Sequence, residues 1–227
     1  MTFFSEAPPP FVSAWKREEL IPRLALHVLT AREWSRGRDT LSVATAVLEG
    51  GATAIQLRDK QASTRQLVEE GLVLRNLTRE YGALLIVNDR IDVALAVAAD
   101  GVHLGQDDDM PIHLARQLLG PERILGVSAG NSAEAAVAIA AGADYISVGA
   151  IYATHAKSDA GAPIGIHFLS QLAAYTSIPL IAIGGITAQN VAPLIQAGAI
   201  GVAVITAVVS ADDISAATRV LLKAMQP

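Results

Sequence analysis

The sequence predicts a single-domain α/β protein with a (β/α)8 TIM-barrel fold, and three observations support this. Short runs rich in β-branched residues alternate with Ala-rich helical stretches along almost the whole chain. Eight such runs occur, and many are apolar at nearly every position, as strands covered on both faces must be. Glycine often precedes the next run, which is typical of helix ends that return into a sheet. A doubly wound open sheet is the alternative, because periodicity cannot show that a sheet closes.

The predicted elements follow one another in a regular order. An N-terminal arm and a short capping helix take residues 1–22, and the catalytic barrel takes residues 23–227. Helical patterns at residues 63–82 and 132–143 separate apolar runs, as βα units require. The eight predicted strands cover residues 24–30, 54–58, 84–89, 101–105, 124–129, 145–150, 179–185 and 201–206.

Composition narrows the classes of function. The chain has 227 residues, is 52% hydrophobic and carries a formal net charge of −5. This charge argues against nucleic-acid binding, which needs a basic face, and the absence of cysteine excludes disulfides and thiolate catalysis. No apolar run reaches the roughly 20 residues of a membrane span, and the N-terminus lacks a signal-peptide pattern. We therefore expect a soluble cytoplasmic protein without membrane or nucleic-acid partners.

The barrel prediction also places the functional residues. In this fold they lie at the C-terminal ends of the strands, which meet at one rim. Polar residues or glycines follow seven of the predicted strands. In chain order they are Gln56, Arg58 and Lys60; Asn88 and Asp89; Gln106, Asp107 and Asp108; Ser128; Thr154, His155 and Lys157; Gly184 and Gly185; and Thr206.

The residue types at this rim suit a diphosphate bound with Mg²⁺. Arg58, Lys60 and Lys157 would form a cationic cluster, while Asp89 and Asp108 would supply carboxylates from adjacent strands. Mg²⁺ usually takes one or two protein carboxylates together with substrate phosphate, and basic side chains neutralise the remaining phosphate oxygens. The glycines of strand 7 and the end of strand 8 lie where barrels commonly bind a phosphate monoester. The rim thus has room for two phosphorylated ligands.

Structural explanations compete with this interpretation of the acids. Asp107 and Asp109 fit the N-terminus of a helix over residues 110–119, where acidic side chains interact favourably with the helix dipole. Asn88 and Asp89 also fit a turn or a helix cap. The sequence alone leaves these alternatives open.

The basic residues, the glycines and the histidines have structural explanations as well. Arg58 and Lys60 fit a solvated loop, and Gly184–Gly185 fit a turn without a ligand. His103 alternates with apolar neighbours, and we interpret it as structural. Neither a Walker loop nor a G-x-S-x-G nucleophile motif occurs.

An ordered set of motifs resembles the thiamine-phosphate synthase family. The segments are IQLRDK, IVNDR, GVHLGQDD, ILGVSA, ADYISVGAIYATHAKSDA, IPLIAIGGI and GVAVITAV, and the resemblance covers about residues 24–225. It implies a TIM-barrel transferase that couples 4-amino-2-methyl-5-(diphosphooxymethyl)pyrimidine with 4-methyl-5-(2-phosphooxyethyl)thiazole, giving thiamine phosphate and pyrophosphate. It also implies Mg²⁺ as cofactor and a carbocation-like intermediate that the thiazole nitrogen captures.

The resemblance assigns roles to individual residues. Asp89 and Asp108 match the Mg²⁺ ligands, and Gln56 matches a residue that approaches the pyrimidine. Catalysis and diphosphate binding are implied for Arg58, Lys60, Ser128 and Lys157, with Asn88 as a further contact to the diphosphate. The thiazole phosphate would lie against Thr154, Ala156, Gly185, Ile205 and Thr206.

Two departures from the family pattern bear on the alternatives. Ala156 replaces a hydroxyl residue of the family loop, which leaves room for a non-catalytic metabolite-binding barrel. Gly130 stands where the related thiazole tautomerases depend on a histidine, which favours the synthase over that isomerase. The loop over residues 152–163 is the candidate lid. A homodimer is compatible with the sequence, which does not fix the oligomeric state.

Overall fold

A closed barrel of eight parallel strands forms the centre of the protein, and the computed structural model describes residues 14–105, 110–156 and 161–226. The strands are hydrogen-bonded in chain order, and β1 also pairs with β8, with Leu26 opposite Val202. This pairing confirms the predicted barrel and excludes the open sheet. The strands are β1 Leu26–Leu29, β2 Ala54–Leu57, β3 Leu84–Asn88, β4 Gly101–Leu104, β5 Ile124–Ala129, β6 Tyr145–Val148, β7 Leu180–Ile183 and β8 Gly201–Val204.

Helices surround the barrel, and polar side chains fix where several of them begin. Ser63 and Gln66 form a reciprocal capping box at the start of the longest helix, and Asp39 and Asn131 cap two others through side-chain oxygens. The described helices are α1 Arg17–Arg23, α2 Thr40–Glu49, α3 Thr64–Glu80, α4 Ile91–Ala96, α5 Ile112–Leu119, α6 Ser132–Ala140, α7 Gly165–Tyr175, α8 Ala192–Gln196, α9 Thr206–Val209 and α10 Ile214–Ala224, with a 3-10 turn at Arg32–Trp34.

The hydrophobic core has two parts because each strand is covered on both faces. The larger part lies between the sheet and the helices, and the smaller part fills the inside of the barrel. Leu20 of α1 and Leu24 belong to the inner part and contact the cluster that holds Ala54 and Leu84 at the start of their strands. Helix α1 therefore covers the end of the barrel where the strands begin.

The inside of the barrel also carries polar side chains, which is unusual for a core of this kind. His27, Gln56, His103, Tyr145 and Ser147 are all buried on the strands. Buried polar groups are costly unless they are hydrogen-bonded. The presence of these five side chains therefore indicates a function for the interior of the barrel. Among the described residues, no helix is both long and apolar enough to cross a bilayer.

Candidate active site

A pocket of about 340 Å³ opens at the C-terminal ends of the strands. Its described lining comes from the ends of β3, β4, β5, β7 and β8 and from residues that follow β2 through β8. The volume is within the range of about 300–1,000 Å³ that is usual for small-molecule sites. The strand ends therefore converge on one cavity, as the barrel prediction required.

A cationic wall lies after β2. Arg58 is 8% exposed, and its described ion pair is a long one of 3.9 Å to Glu33, which is itself largely exposed. The hydroxyl of Thr30 accepts from the Arg58 backbone N–H at 2.8 Å and donates to the Arg58 carbonyl at 3.1 Å. The backbone is thus fixed on both sides, and a largely buried guanidinium faces a cavity that an anion can enter.

Asp59 holds the loop between the two cations of this wall. Its carboxylate accepts from Arg32 Nε at 3.0 Å and from the backbone N–H groups of Gln61 and Ala62. Burial opposes ionisation, but these hydrogen bonds outweigh it and lower the pKa of Asp59 below its ordinary value. Asp59 therefore points away from the pocket, while its neighbours Arg58 and Lys60 line it.

Asp89 follows β3 in a backbone conformation that non-glycine residues rarely adopt. Its φ is 62°, and its N–H donates to the carbonyl of His103 on β4 at 2.9 Å. Its carboxylate lies 4.0 Å from Lys60 Nζ. Left-handed conformations of this kind cost about 1–3 kcal/mol and are concentrated at functional sites. The turn aims a carboxylate into the pocket beside the cationic wall.

A glycine turn forms the part of the pocket wall after β7. Gly184 and Gly185 follow β7 with φ of 98° and 64°, and a Cβ on Gly185 would lie 2.6 Å from the carbonyl oxygen of Ala153. Only glycine suits this combination of conformation and space. Thr206 begins α9 directly after β8 and lines the same side of the pocket.

Asn190 braces the glycine turn from behind. Its side-chain oxygen accepts from Thr187 N at 2.8 Å, and its amide donates to the carbonyl of Gly185 at 3.0 Å. Its own carbonyl accepts from the Tyr152 hydroxyl at 3.2 Å. The turn is therefore held in place by side-chain hydrogen bonds as well as by its glycines.

Comparisons with known proteins match this architecture. A family model described as thiamine monophosphate synthase covers residues 26–208. The chain belongs to this family. It is 56% identical to the thiamine-phosphate synthase of Chloroflexus aurantiacus over 86% of this chain and 90% of that protein, and 53% identical to that of Moorella thermoacetica over 88% and 94%.

A solved structure gives the same result. Thiamine phosphate pyrophosphorylase from Pyrococcus furiosus superimposes with a TM-score of 0.83 and 43% identity, covering 91% of this chain and 97% of that one. As a member of the thiamine monophosphate synthase family, the chain is a transferase of thiamine biosynthesis. The resemblance seen in the sequence is thereby confirmed.

Most of the residues predicted for the site lie together. The pocket lining includes Arg58, Lys60, Asn88, Asp89, Ser128, Thr154, Ala156, Gly185, Ile205 and Thr206. Asp108 and Lys157, with their neighbours Gln106, Asp107 and Asp109, lie outside the described residues. The described pocket lining does not include Gln56. This side chain is 2% exposed inside the barrel, where its Nε2 lies 3.4 Å from His27 Nε2.

His103 was interpreted as structural, and the structure places it at the pocket as well. The residue lines the pocket, and its Nε2 lies 3.0 Å from the hydroxyl oxygen of Ser128. Alternation along β4 shows that His103 and its neighbours face opposite sides, but it does not show which side is the barrel interior. The polar residues at the ends of β3 and β5, the two strands that flank β4, were the sequence signal that could have placed His103 at the pocket.

The described donor set is compatible with the Mg²⁺ of the sequence prediction. Asp89 supplies one carboxylate at the pocket, and Asn88 lies beside it at the end of β3. The described residues contain no group of three or more His, Cys, Asp or Glu side chains that could hold a metal by themselves. Mg²⁺ typically relies on one or two carboxylates, waters and substrate phosphates.

Proposed function

We propose that this pocket joins the aminopyrimidine diphosphate to the thiazole phosphate, with Mg²⁺ as cofactor, and releases pyrophosphate. One arrangement carries the proposal: basic side chains after β2 and a glycine turn after β7 line different parts of a single cavity. β2 and β7 are separated by two strands in one direction around the barrel and by four in the other, so the two groups lie on different sides of the cavity. Two phosphorylated substrates could then bind with their reacting ends between the walls.

The basic wall suits the substrate that loses its diphosphate. The backbone of Arg58 is hydrogen-bonded to Thr30, and Lys60 adds a more exposed charge at the rim. Asn88 and Ser128 could donate neutral hydrogen bonds to the same group. Negative charge accumulates on the oxygens of the departing diphosphate in the transition state. Hydrogen-bond donors already positioned on this wall would therefore lower the activation free energy for pyrophosphate release.

Neutral phosphate-binding groups suit the second substrate, which keeps its phosphate. Gly185, Ile205 and Thr206 line the cavity after β7 and β8, where their backbone groups would bind the phosphate, and Thr154 would add a hydroxyl. This wall would hold the thiazole ring so that its nitrogen meets the exocyclic carbon of the pyrimidine. Ala156 lines the pocket without a hydroxyl, so phosphate binding here would depend on the backbone groups and Thr154.

The reaction needs little acid–base chemistry from the protein. The attacking thiazole nitrogen carries no proton, and the aminopyrimidine itself stabilises positive charge as pyrophosphate leaves. Asp89 and Asp108 would hold Mg²⁺, which when bound would neutralise part of the charge on the diphosphate. The remaining task is to exclude water, which would quench a carbocation-like species.

An isomerase would need a free base near Ser128, and the structure offers His103 at that place. Both ring nitrogens of His103 are engaged, however: Nδ1 lies 3.0 Å from the Tyr145 hydroxyl, and Nε2 lies 3.0 Å from Ser128.

The decisive experiment measures thiamine phosphate and pyrophosphate formed from the two substrates with and without Mg²⁺. Equal amounts of both products, dependent on Mg²⁺, would support the proposal. Failure to form them would favour the isomerase or a metabolite-binding barrel.

Lys60→Ala is expected to lower kcat/KM about 10- to 100-fold, because it removes one charge that opposes the diphosphate. The side chain is 49% exposed and its ion pair with Asp89 is 4.0 Å long, so the free energy of unfolding should change little. Steady-state kinetics and urea unfolding would test this. Lys223→Ala, on the exposed surface of α10, is the matched control and should change neither quantity. Unchanged kinetics in Lys60→Ala would remove this residue from the diphosphate wall.

Asn190→Ala is expected to raise KM for the thiazole phosphate about 5- to 10-fold, since two hydrogen bonds that fix the glycine turn are lost. KM for the pyrimidine diphosphate should stay the same, because that substrate would bind at the other wall. Asp213→Ala is the control: it removes the N-cap of α10, which is not part of the described pocket lining, and should affect stability alone. Equal increases in both KM values would mean that Asn190 supports the fold generally.

A further inference from the structure

The segment between β1 and α2, residues 30–39, contacts the site from outside the described pocket. In chain order the described lining begins with Arg58. Arg32 nevertheless donates from Nε to the carboxylate of Asp59 at 3.0 Å. We call residues 30–39 the β1 loop and residues 58–62 the β2 loop. The β1 loop thus contacts the β2 loop, which carries the cationic wall.

Further contacts join the same two loops. Thr30 forms two hydrogen bonds with the backbone of Arg58, at 2.8 Å and 3.1 Å. The Glu33 carboxylate lies 3.9 Å from Arg58 Nη1. Two successive residues of the β1 loop therefore meet two successive residues of the β2 loop with opposite charges: Arg32 meets Asp59, and Glu33 meets Arg58.

Arg32 joins three elements through one guanidinium. Its Nη2 donates to Glu70 of α3 at 2.5 Å, while its Nε contacts Asp59. The hydrogen bond with Asp59 is the main reason that the pKa of Arg32 is raised above its ordinary value. The Arg32 side chain is 54% exposed, whereas that of Asp59 is 11% exposed. An arginine at the surface thus restrains a carboxylate that is nearly buried behind the pocket.

Asp59 passes this restraint to the residues on either side of it. Its Oδ1 accepts from the N–H groups of Gln61 at 3.0 Å and Ala62 at 3.1 Å, so the side chain closes a turn around Lys60. Its other oxygen, Oδ2, accepts from the arginine. Arg58 and Lys60, which precede and follow Asp59, line the pocket. One carboxylate therefore fixes the turn and connects it to the β1 loop.

The effect of this connection should appear in ligand binding more than in stability. Ion pairs with an exposed partner contribute little to the free energy of unfolding. Cations that stabilise a departing group act best when they are already in place, and a displacement of about 1 Å can cost about 100-fold in rate. Arg58 and Lys60 stand on a short loop, so their placement depends on what holds that loop.

We propose that Arg32 and Asp59 are positioning residues that hold Arg58 and Lys60 where the diphosphate of the substrate binds. This rests on the proposed function, because it places the diphosphate against these two cations. Neither Arg32 nor Asp59 belongs to the described pocket lining. The inference therefore gives the β1 loop a role in binding one substrate and none in binding the thiazole phosphate.

Asp59→Asn and Arg32→Met break the contact from its two sides. Asparagine keeps an oxygen for the N–H groups of Gln61 and Ala62, but its amide nitrogen then faces Arg32 Nε, which is also a donor. Calorimetric titration with inorganic pyrophosphate and Mg²⁺ measures the affinity without turnover. We expect Kd to rise about 5- to 20-fold in each variant. The double variant should resemble the weaker single variant, because both changes remove the same contact.

The signs of the two changes separate positioning from simple electrostatics. Arg32→Met removes a positive charge and Asp59→Asn removes a negative one, so a purely electrostatic effect would weaken pyrophosphate binding in the first and strengthen it in the second. Weaker binding in both supports the proposal, and shifts of opposite sign would overturn it. Arg36→Met is the matched control: Arg36 lies in the same loop, is 56% exposed and pairs with Asp212, so Kd should stay at the wild-type value.

Kinetics and unfolding complete the test. In Arg32→Met, kcat/KM for the pyrimidine diphosphate should fall about 10-fold, KM for the thiazole phosphate should stay unchanged, and the urea midpoint should shift by no more than about 0.3 M. Equal changes in both substrates would contradict a role confined to the diphosphate. Wild-type turnover tests the proposed function by itself. Absence of pyrophosphate binding in the wild type would overturn the inference, so the two ideas fail separately.

Discussion

Replacing Asp89 with asparagine is expected to lower turnover at saturating substrates about 100-fold, the scale on which loss of a metal-site interaction acts. The free energy of unfolding should stay within about 0.5 kcal/mol of the wild-type value, because asparagine accepts the left-handed conformation as readily as aspartate does. The substitution removes one charge and keeps the size and backbone preference of the side chain. It therefore separates the carboxylate's role from its place in the fold.

Two further variants at the same position test the backbone argument. With φ at 62°, alanine should destabilise the protein by about 1 kcal/mol relative to asparagine, since it combines a Cβ with no local hydrogen bond. Glycine should be at least as stable as alanine despite its greater freedom in the unfolded chain. All three variants lack the carboxylate, so all three should lose activity whatever their stability.

The measurements are urea unfolding and Mg²⁺ titration of the reaction rate. If Asp89 holds the ion, the Mg²⁺ concentration for half-maximal rate should rise in Asp89→Asn while KM for the thiazole phosphate stays unchanged. Asp92→Asn is the control: this acid lies one turn further along, is 62% exposed and pairs with Arg90. Full Mg²⁺-dependent turnover in Asp89→Asn would show that the metal role is wrong.

The strands and their polar ends could be predicted because both signals are local. Apolar runs such as residues 84–87 indicate a strand covered on two faces, and the first polar residues after them mark its end. The rule that barrel sites lie at strand C-termini then brings Asn88 and Asp89 to the pocket without any knowledge of distances. A known topology therefore converts a one-dimensional pattern into a three-dimensional site.

Depth along the barrel could not be predicted in this way. Gln56 lies on β2 and Arg58 directly follows that strand, two residues further on, yet Arg58 lines the pocket and Gln56 is absent from its described lining. His103 reaches the pocket because it pairs with Asn88 on one side and Gly126 on the other. That register depends on the stagger between strands, which a single strand's sequence does not contain.

Long-range pairs at the opposite end of the barrel also escaped the sequence. Asp144 precedes β6 and is the one charged residue in an apolar stretch of the sequence, residues 135–153. It accepts from Arg116 Nη2 on α5 and, at 2.7 Å, from the backbone N–H of Leu125 on β5. Asp100, before β4, does the same with Arg75 on α3 and with Leu85 N on β3. The barrel thus repeats one device at two successive pairs of βα units.

Breaking the Arg116–Asp144 pair should cause the largest loss of stability of any substitution considered for this protein. The two side chains are 1% and 3% exposed, and removing one partner of a buried ion pair typically costs about 3–5 kcal/mol, since the other is left charged or unsatisfied. Arg116 also donates to the carbonyls of Gly120, Arg123 and Gly142, so Arg116→Met leaves several acceptors without a donor. Urea unfolding of Arg116→Met and Asp144→Asn would measure the loss.

Arg75 and Asp100 provide a matched control within the same chain. Their side chains are 13% and 18% exposed, so water can replace part of what is lost, and Asp100→Asn should cost only about 1–2 kcal/mol. A loss of stability in Asp100→Asn as large as that in Asp144→Asn would mean that burial does not determine the cost of breaking these ion pairs.

The double variant Arg116→Met/Asp144→Leu should lose less stability than the sum of the two single losses, because no lone charge remains. Since both pairs lie where the strands begin, kcat of the folded fraction should stay at the wild-type value in every one of these variants.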